Sequence, residues 1–480
     1  MGKNEARPQP MREEVIPTAE EFEVVVLGAG PGGYAAALYG ASAGMHVAMV
    51  EESRVGGTCL NRGCIPAKEL LETATVLRTV GRAGEFGVVA GAAPTVDLAV
   101  SQVRKQQVID RLVGGLETLL KGRKVTVVPG TGSLLDGPGR LVRVSDGTEL
   151  RGRHLVLATG SSSRSLPGYE FDGVRILSSD DVLMLDHVPE RVAVIGGGAI
   201  GCEFASFLVD VGSTVTVLEA LPQVLAGVDQ QVAQTAVRAF TKRGVKVHTG
   251  VTVGAPEIGE KSVTVPFTGK NGEERLEVDV VVVSVGRSPR TSGVGFREQG
   301  VDLDDRGFVA VDPQMRTNLA DVYAVGDVVA TPQLAHVAFA EAIVAIKTML
   351  GENPAPVDYA KVPWGIYCHP EVAFCGMTEE QARATGRDIV TSVHRFGGNG
   401  RALIVGESEG LVKIVAERDG PMLGVHIVGP WATELIAEGY LSVNWEATAA
   451  DIGLLVHAHP TLSELFGESA LALTGRSLHG

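Results

Sequence analysis

The sequence predicts an α/β chain in which two similar parallel-sheet units are followed by a third domain of α+β type. Three observations predict it. A strand, a glycine-rich turn, a helix and a second strand ending in an acid occur twice, over residues 22–51 and 191–219. The internal spacing of the two copies agrees: the acid stands 23 residues after the first glycine in both, and a helix-stopping glycine stands 16 residues after it. From about residue 355 the composition shifts, with Pro354 and Pro356 marking a linker and no further glycine-rich turn beyond it. The agreement at two offsets makes both copies Rossmann-like dinucleotide-binding units.

In the first copy, Phe22 to Leu27 reads as a buried strand. Gly28-Ala29-Gly30-Pro31-Gly32-Gly33 is the turn, Tyr34 to Ala43 the helix and His46 to Val50 the next strand, ending at Glu51. Gly28, Gly30 and Gly33 let the backbone approach a pyrophosphate at the helix N-terminus, and Glu51 stands where a ribose hydroxyl is bound.

Next comes Gly56-Gly57-Thr58-Cys59-Leu60-Asn61-Arg62-Gly63-Cys64-Ile65-Pro66-Ala67-Lys68. In a regular helix, residues five apart have Cα atoms roughly 8.6 Å apart, beyond the about 7 Å that a disulfide spans. Gly63 and Pro66 suit a distorted helix start across which the two cysteines can bridge. The other reading is two buried, unbonded cysteines in a glycine-rich turn.

Arg104 to Leu120 reads as a helix, and Lys124 to Val128 and Leu141 to Val144 as strands joined by a Gly/Pro turn. His154 to Ala158 is a strand that ends in the small-residue turn Thr159-Gly160-Ser161. The second copy follows: strand Arg191 to Ile195, turn glycines Gly196, Gly198 and Gly201, strand Val215 to Leu218 and acid Glu219. A carboxylate there accepts a hydrogen bond from a ribose hydroxyl and repels a 2′-phosphate, so NAD is expected rather than NADP. Asp279 to Val285 is a strand ending at Gly286, and Asn318 to Val325 leads into Gly326-Asp327, after which Leu334-Ala335-His336 opens a helix. In the third domain, strands are expected over Ile366 to Cys368, Gly410 to Ala416 and Met422 to Val428, and helices over Glu379 to Thr385, Thr433 to Asn444 and Thr448 to Val456.

Composition sets outer bounds. The 480 residues call for more than one domain. A net charge of −15 with no strongly basic stretch argues against nucleic acid. Five cysteines are too few for a disulfide framework, and Cys202, Cys368 and Cys375 read as core residues. Cys368-His369 with Cys375 lacks a second ligand pair, so no metal site is expected. Residues 1–20 are polar and charged and read as a disordered leader without a signal peptide. No apolar run reaches the length of a membrane span, and a cytoplasmic protein is expected.

The Cys59-to-Cys64 stretch resembles the redox-active disulfide of the flavin-dependent pyridine nucleotide–disulfide oxidoreductases, and the family's other motifs recur in order to about residue 470. Val at Arg62 and Ser at Ala67 would be usual there, and Gly397-Gly398 and Trp431 also depart from the usual pattern. The pattern is similar to the branch that oxidises protein-bound dihydrolipoamide to lipoamide while reducing NAD. The alternative is a related FAD/NAD(P)-dependent disulfide or quinone reductase.

This resemblance implies that Cys59 and Cys64 form a redox disulfide. A redox disulfide needs an electron carrier beside it, so the first unit takes FAD and the second NAD. Gly57 and Thr58 flank the disulfide, Thr159, Gly160 and Gly286 mark the passages between the cofactor domains, and Asp327 and Ala335 reach the FAD side. Lys68 and Glu203 pair beside the flavin's central ring. His459 with Glu464 is the base and its orienting partner, and His457 and His336 are structural. The implied domains are a leader (1–20), an FAD-binding domain (21–153), an NAD-binding domain (154–286), a central segment completing the FAD site (287–354) and a dimer-interface domain (355–480). The implied partners are a second copy of the chain and the lipoyl domains of 2-oxo acid dehydrogenase complexes or of the glycine cleavage system.

Overall fold

The structure, a computed structural model, describes residues 20–135 and 140–479. The expected leader, apart from Glu20, and the Gly/Pro turn at 137–139 lie outside the described residues.

The first unit starts with β1 (Glu20–Leu27), α1 (Pro31–Ser42), β2 (Val47–Glu51), α2 (Gly57–Arg62), α3 (Cys64–Gly81) and α4 (Leu98–Gly122). It continues with β3 (Thr126–Pro129), β4 (Gly132–Leu134), β5 (Leu141–Val144) and β6 (Glu149–Leu157). The strands lie in the order β3-β2-β1-β6-β5-β4, with β1 parallel to both β2 and β6. Val24, Val25, Val26 and Leu27 are buried, as a central parallel strand covered on both faces requires.

Short strands β7 (Ser161–Ser163) and β8 (Ile176–Leu177) and helix α5 (Ser179–Val182) lead to the second unit. That unit comprises β9 (Arg191–Ile195), α6 (Ala199–Asp210), β10 (Thr214–Glu219), α7 (Gln230–Lys242) and β11 (Lys246–Thr249). An antiparallel sheet follows from β12 (Thr252–Val253), β13 (Glu257–Ile258), β14 (Val263–Gly269) and β15 (Gly272–Val278). Strand β16 (Val280–Val283) then returns to give the parallel order β11-β10-β9-β16-β8. Strand β17 (Arg287–Pro289) pairs with β7 in a ribbon outside both sheets. Strand β18 (Val322–Ala324) rejoins the first sheet beside β6, and α8 (Ala335–Met349) packs on α1.

The last domain contains β19 (Trp364–Ile366), β20 (Glu371–Gly376), α9 (Glu379–Ala384), β21 (Ile389–Arg395), α10 (Gly400–Ile404), β22 (Leu411–Glu417) and β23 (Met422–Gly429). Helices α11 (Ala432–Asn444), α12 (Ala449–Gly453) and α13 (Glu464–Leu473) follow. Its antiparallel sheet, β19-β20-β23-β22-β21, is packed by α11 and α13.

Four expectations need correction. The boundary at 153/154 falls inside β6, because His154 to Leu157 pair with Val24 to Leu27 and Leu155 to Leu157 pair with β18. Glu20 is part of β1 and so lies outside a disordered leader. Tyr367 and Cys368 lie beyond β19, because the Tyr367 N–H turns to the Glu203 carboxylate, 2.9 Å away. In addition, α12 ends at Gly453, short of the expected Val456.

Candidate active site

The two glycine-rich turns share one stereochemistry. Gly28 and Gly196 have φ of +98° and +102°. A Cβ on Gly28 would stand 2.4 Å from the Ala158 carbonyl oxygen, and one on Gly196 2.5 Å from that of Ser284. Gly33 and Gly201 let each helix close on its own turn, since their Cβ atoms would meet the carbonyl oxygens of Gly28 and Gly196 at 1.8 and 1.9 Å. Gly30 and Gly198 are the N-caps of α1 and α6, with open space where a Cβ would be and no side-chain cap. Free backbone N–H groups at a helix N-terminus suit a pyrophosphate, so both cradles fit a dinucleotide.

The acids do more than the sequence foretold. Glu51 accepts hydrogen bonds from the N–H of Ala29 (2.7 Å) and of Ser53 (2.9 Å). Glu219 accepts from Gly197 (2.6 Å) and Leu221 (2.7 Å). Each carboxylate therefore clamps its own glycine turn.

Both cradles open into one cavity of about 1180 Å³, above the roughly 300–1,000 Å³ of a site for one small molecule. Its walls include Gly28, Gly30, Glu51, Gly57, Thr58, Cys59, Cys64, Lys68, Thr159, Gly160, Gly196, Gly198, Glu203, Glu219, Gly286, Gly326, Asp327 and Ala335. Gly33 and Gly201 act from behind the walls, through the close packing described above.

Cys59 lies in α2 and Cys64 opens α3, with Gly63 (φ −148°, ψ −108°) breaking the helix between them. Both thiols are free here, and they hydrogen-bond to each other. Accepting that hydrogen bond, and the nearby Lys68 ammonium, lower Cys64 to about 7 against the effect of burial. Donating it, burial and the neighbouring Cys64 charge push Cys59 up. Of the two sulfurs, Cys64 is thus the readier to ionise.

Lys68 Nζ meets Glu203 Oε1 and Oε2 at 2.8 and 2.9 Å and stands 4.8 Å from the centre of the Tyr367 ring. Burial disfavours this ammonium, but the Glu203 charge and hydrogen bonds outweigh it and raise Lys68 above its ordinary value.

Asp327 Oδ2 accepts from Ser161 Oγ at 2.6 Å, and Arg287 Nε donates to the same hydroxyl at 2.7 Å. The Gly326 N–H is held by Glu341 Oε2 at 2.6 Å, and Tyr359 donates to Glu341 Oε1 at 3.0 Å. Glu341 is fully buried. Sequence reasoning passed over Ser161, Arg287 and Glu341. The available signal was an acid within the apolar run Val337–Ile346 of α8.

His459 Nδ1 lies 2.8 Å from Glu464 Oε1, and Glu464 Oε2 accepts from the Thr461 N–H at 2.7 Å. Burial would raise the Glu464 carboxyl, but the Thr461 N–H and His459 hold it below its ordinary range. The His459 side chain is 80% exposed and is not among the residues lining the cavity of its own chain. His457 Nε2 meets Glu438 at 2.8 Å, and His336 Nε2 meets the Pro363 carbonyl at 2.8 Å, so both have structural partners. Cys202, Cys368 and Cys375 are buried, and burial pushes their thiols up. Among the described residues, no three His, Cys, Asp or Glu side chains gather as a metal site.

Comparison with known proteins agrees with this geometry. The profile of the family described as pyridine nucleotide-disulphide oxidoreductase matches residues 22–342, and that of its dimerisation domain matches residues 362–470. A dihydrolipoyl dehydrogenase of Chlamydia pneumoniae is 39% identical over 461 residues, covering 96% of this chain and 98% of the relative. One from Haloferax volcanii is 40% identical over 466 residues, 95% of this chain and 97% of the relative. Among solved structures, LpdA of Mycobacterium tuberculosis superposes with a TM-score of 0.87 at 27% identity, over 95% of this chain and 100% of that one. The HOCl-induced flavoprotein disulfide reductase RclA of Escherichia coli gives 0.83 at 26%, over 94% and 99%.

Proposed function

The chain belongs to the pyridine nucleotide-disulphide oxidoreductases, and from that premise we propose that it oxidises protein-bound dihydrolipoamide to lipoamide and reduces NAD to NADH. It is an oxidoreductase of two cofactors, FAD and NAD. Gly28, Gly30, Glu51 and Asp327 would hold FAD, and Gly196, Gly198 and Glu219 would hold NAD. FAD, when bound, relays two electrons between the thiols and the nicotinamide.

The observation that carries the reading is the placement of Cys59 and Cys64, on either side of the helix break at Gly63, at the wall common to both cradles. In its oxidised form, Cys59 takes the attack of a dihydrolipoyl thiolate. The Cys59–Cys64 bond breaks, a lipoyl–Cys59 bond forms, and Cys64 leaves as a thiolate, which Lys68 favours. The second lipoyl thiol then attacks its own sulfur at the mixed disulfide, closing the lipoyl ring and releasing Cys59. His459, oriented by Glu464, takes one of the two protons that the lipoyl thiols give up, and the other ends on the released Cys59 sulfur.

The matched dimerisation domain supports a homodimer. Each active site takes Cys59 from one chain and His459 from the other, a reading supported by the exposure of His459 outside its own cavity. The reducing partners are lipoyl domains of 2-oxo acid dehydrogenase complexes or of the glycine cleavage system. A cytoplasmic location fits a chain with only five cysteines in 480 residues. Among the described residues no helix is long and apolar enough to cross a membrane.

The test is NAD reduction by dihydrolipoamide, set beside NADPH-driven reduction of glutathione disulfide and of quinones. Faster turnover in either comparison arm would overturn the reading.

A further inference from the structure

Five cations line the cavity: Arg62, Lys68, Arg164, Arg287 and Arg290. Four are engaged within the protein. Lys68 is held by Glu203, and Arg287 donates to Ser161. Arg290 pairs with Glu52 at 2.6 Å, and Arg164 donates to the Val285 carbonyl at 2.8 Å. Among the described residues, the Arg62 guanidinium has no hydrogen bond, ion pair or ring contact. The acids of the wall have none to spare for it. Glu51 and Glu219 clamp their turns, Glu203 holds Lys68, Glu52 holds Arg290, and Asp327 accepts from Ser161.

Arg62 is exposed at the last position of α2, three residues after Cys59. That spacing puts both side chains on one side of the helix. A guanidinium presents a planar fork of N–H donors that fits a carboxylate or phosphate in two parallel hydrogen bonds.

We propose that Arg62 is a specificity residue that pairs with a carboxylate on the thiol or disulfide reacting at Cys59. It then favours anionic dithiols, such as free dihydrolipoate, over their neutral amides. The proposal rests on the functional reading above for its substrate, but its chemistry can be tested without turnover.

Two measurements on the full-length holoprotein decide it. The first is the ratio of kcat/KM for dihydrolipoate to that for dihydrolipoamide, in wild type, Arg62→Gln and Arg62→Lys. The ratio falls about two- to fivefold in Arg62→Gln, the worth of a partly exposed ion pair, and recovers in part in Arg62→Lys. The second uses protein reduced with dithiothreitol and freed of it. The alkylation rates of the Cys59–Cys64 pair by iodoacetate and by iodoacetamide are compared, with the modified cysteine located by peptide mass. The iodoacetate-to-iodoacetamide ratio falls in Arg62→Gln by a similar factor. Unmoved ratios overturn the proposal. So does a fall in FAD retention or NAD affinity with the alkylation ratio intact, which would assign the guanidinium to a cofactor phosphate. If wild type fails to oxidise dihydrolipoamide, the functional reading fails, and the alkylation ratio still decides the role of Arg62.

Discussion

Lys68 of α3 and Glu203 of α6 meet through two contacts of 2.8 and 2.9 Å, joining the helix that begins with Cys64 to the helix of the second cradle. The Tyr367 N–H adds the third domain to the same carboxylate at 2.9 Å. The pair is therefore both a domain junction and a control on the thiolate beside it.

Its two halves act on Cys64 with opposite sign. Lys68 lowers the Cys64 thiol and Glu203 raises it. In the reduced protein, the Cys64 thiolate is present above about pH 7 and is lost as pH falls through that value. Lys68→Met should move this midpoint up and Glu203→Gln should move it down. The measurement is a pH titration of thiolate absorbance or of alkylation rate at Cys64. Shifts of the same sign would contradict the arrangement.

The two cysteines should be distinguishable by spectrum. In Cys59→Ser the Cys64 thiolate remains beside Lys68, and with FAD bound it should give long-wavelength absorbance. Cys64→Ser should lack that absorbance. Both variants should lose lipoamide turnover while retaining electron transfer from NADH to dyes. Matching spectra would show that the roles of the sulfurs have been assigned wrongly.

Preference for NAD over NADP should reside in Glu219. Because this carboxylate also clamps Gly197 and Leu221, Glu219→Ala should weaken NAD binding as well as admit NADP. Glu219→Gln keeps an acceptor without the charge, so it separates the two effects. It should narrow the NAD-to-NADP ratio of kcat/KM by about tenfold, as expected when a like-charge contact is removed. An unchanged ratio would place the discrimination elsewhere.

What the sequence disclosed was chiefly what backbone sterics impose locally. Gly28 and Gly196 have positive φ, and a positive φ beside a carbonyl leaves a glycine visible in the sequence at a fixed distance from its acid. The unbroken course of β6 was hidden, because it depends on pairing with β1 and with β18 far along the chain. Strand β20 was missed because Val372, Ala373, Phe374 and Cys375 form a short, fully buried apolar run without alternation, and no glycine-rich turn follows it to mark it as a strand, as one does after β1. Ser161, Arg287 and Glu341 acquire their roles only through remote partners, Asp327 and Gly326. His459 and Glu464, five residues apart, could be paired from sequence. Which chain's cavity they serve could not.

The last prediction concerns that question. His459 is held by Glu464 but is 80% exposed, away from the walls of its own chain's cavity. Nearby along the chain, Leu454 and Val456 are 83% and 98% exposed, an apolar surface suited to a second copy. His459→Ala should cost about 10²–10⁴ in lipoamide turnover, the range for a general base, and leave FAD bound. Chains carrying Cys59→Ser are then co-expressed with chains carrying His459→Ala. If the base acts on the partner's cysteine, a mixed dimer has one site with both lesions and one with neither, and activity returns to about half of wild type per dimer. If the base serves its own chain, every site carries one lesion and no activity returns. Mixed dimers confirmed by mass yet inactive would end the shared-site reading.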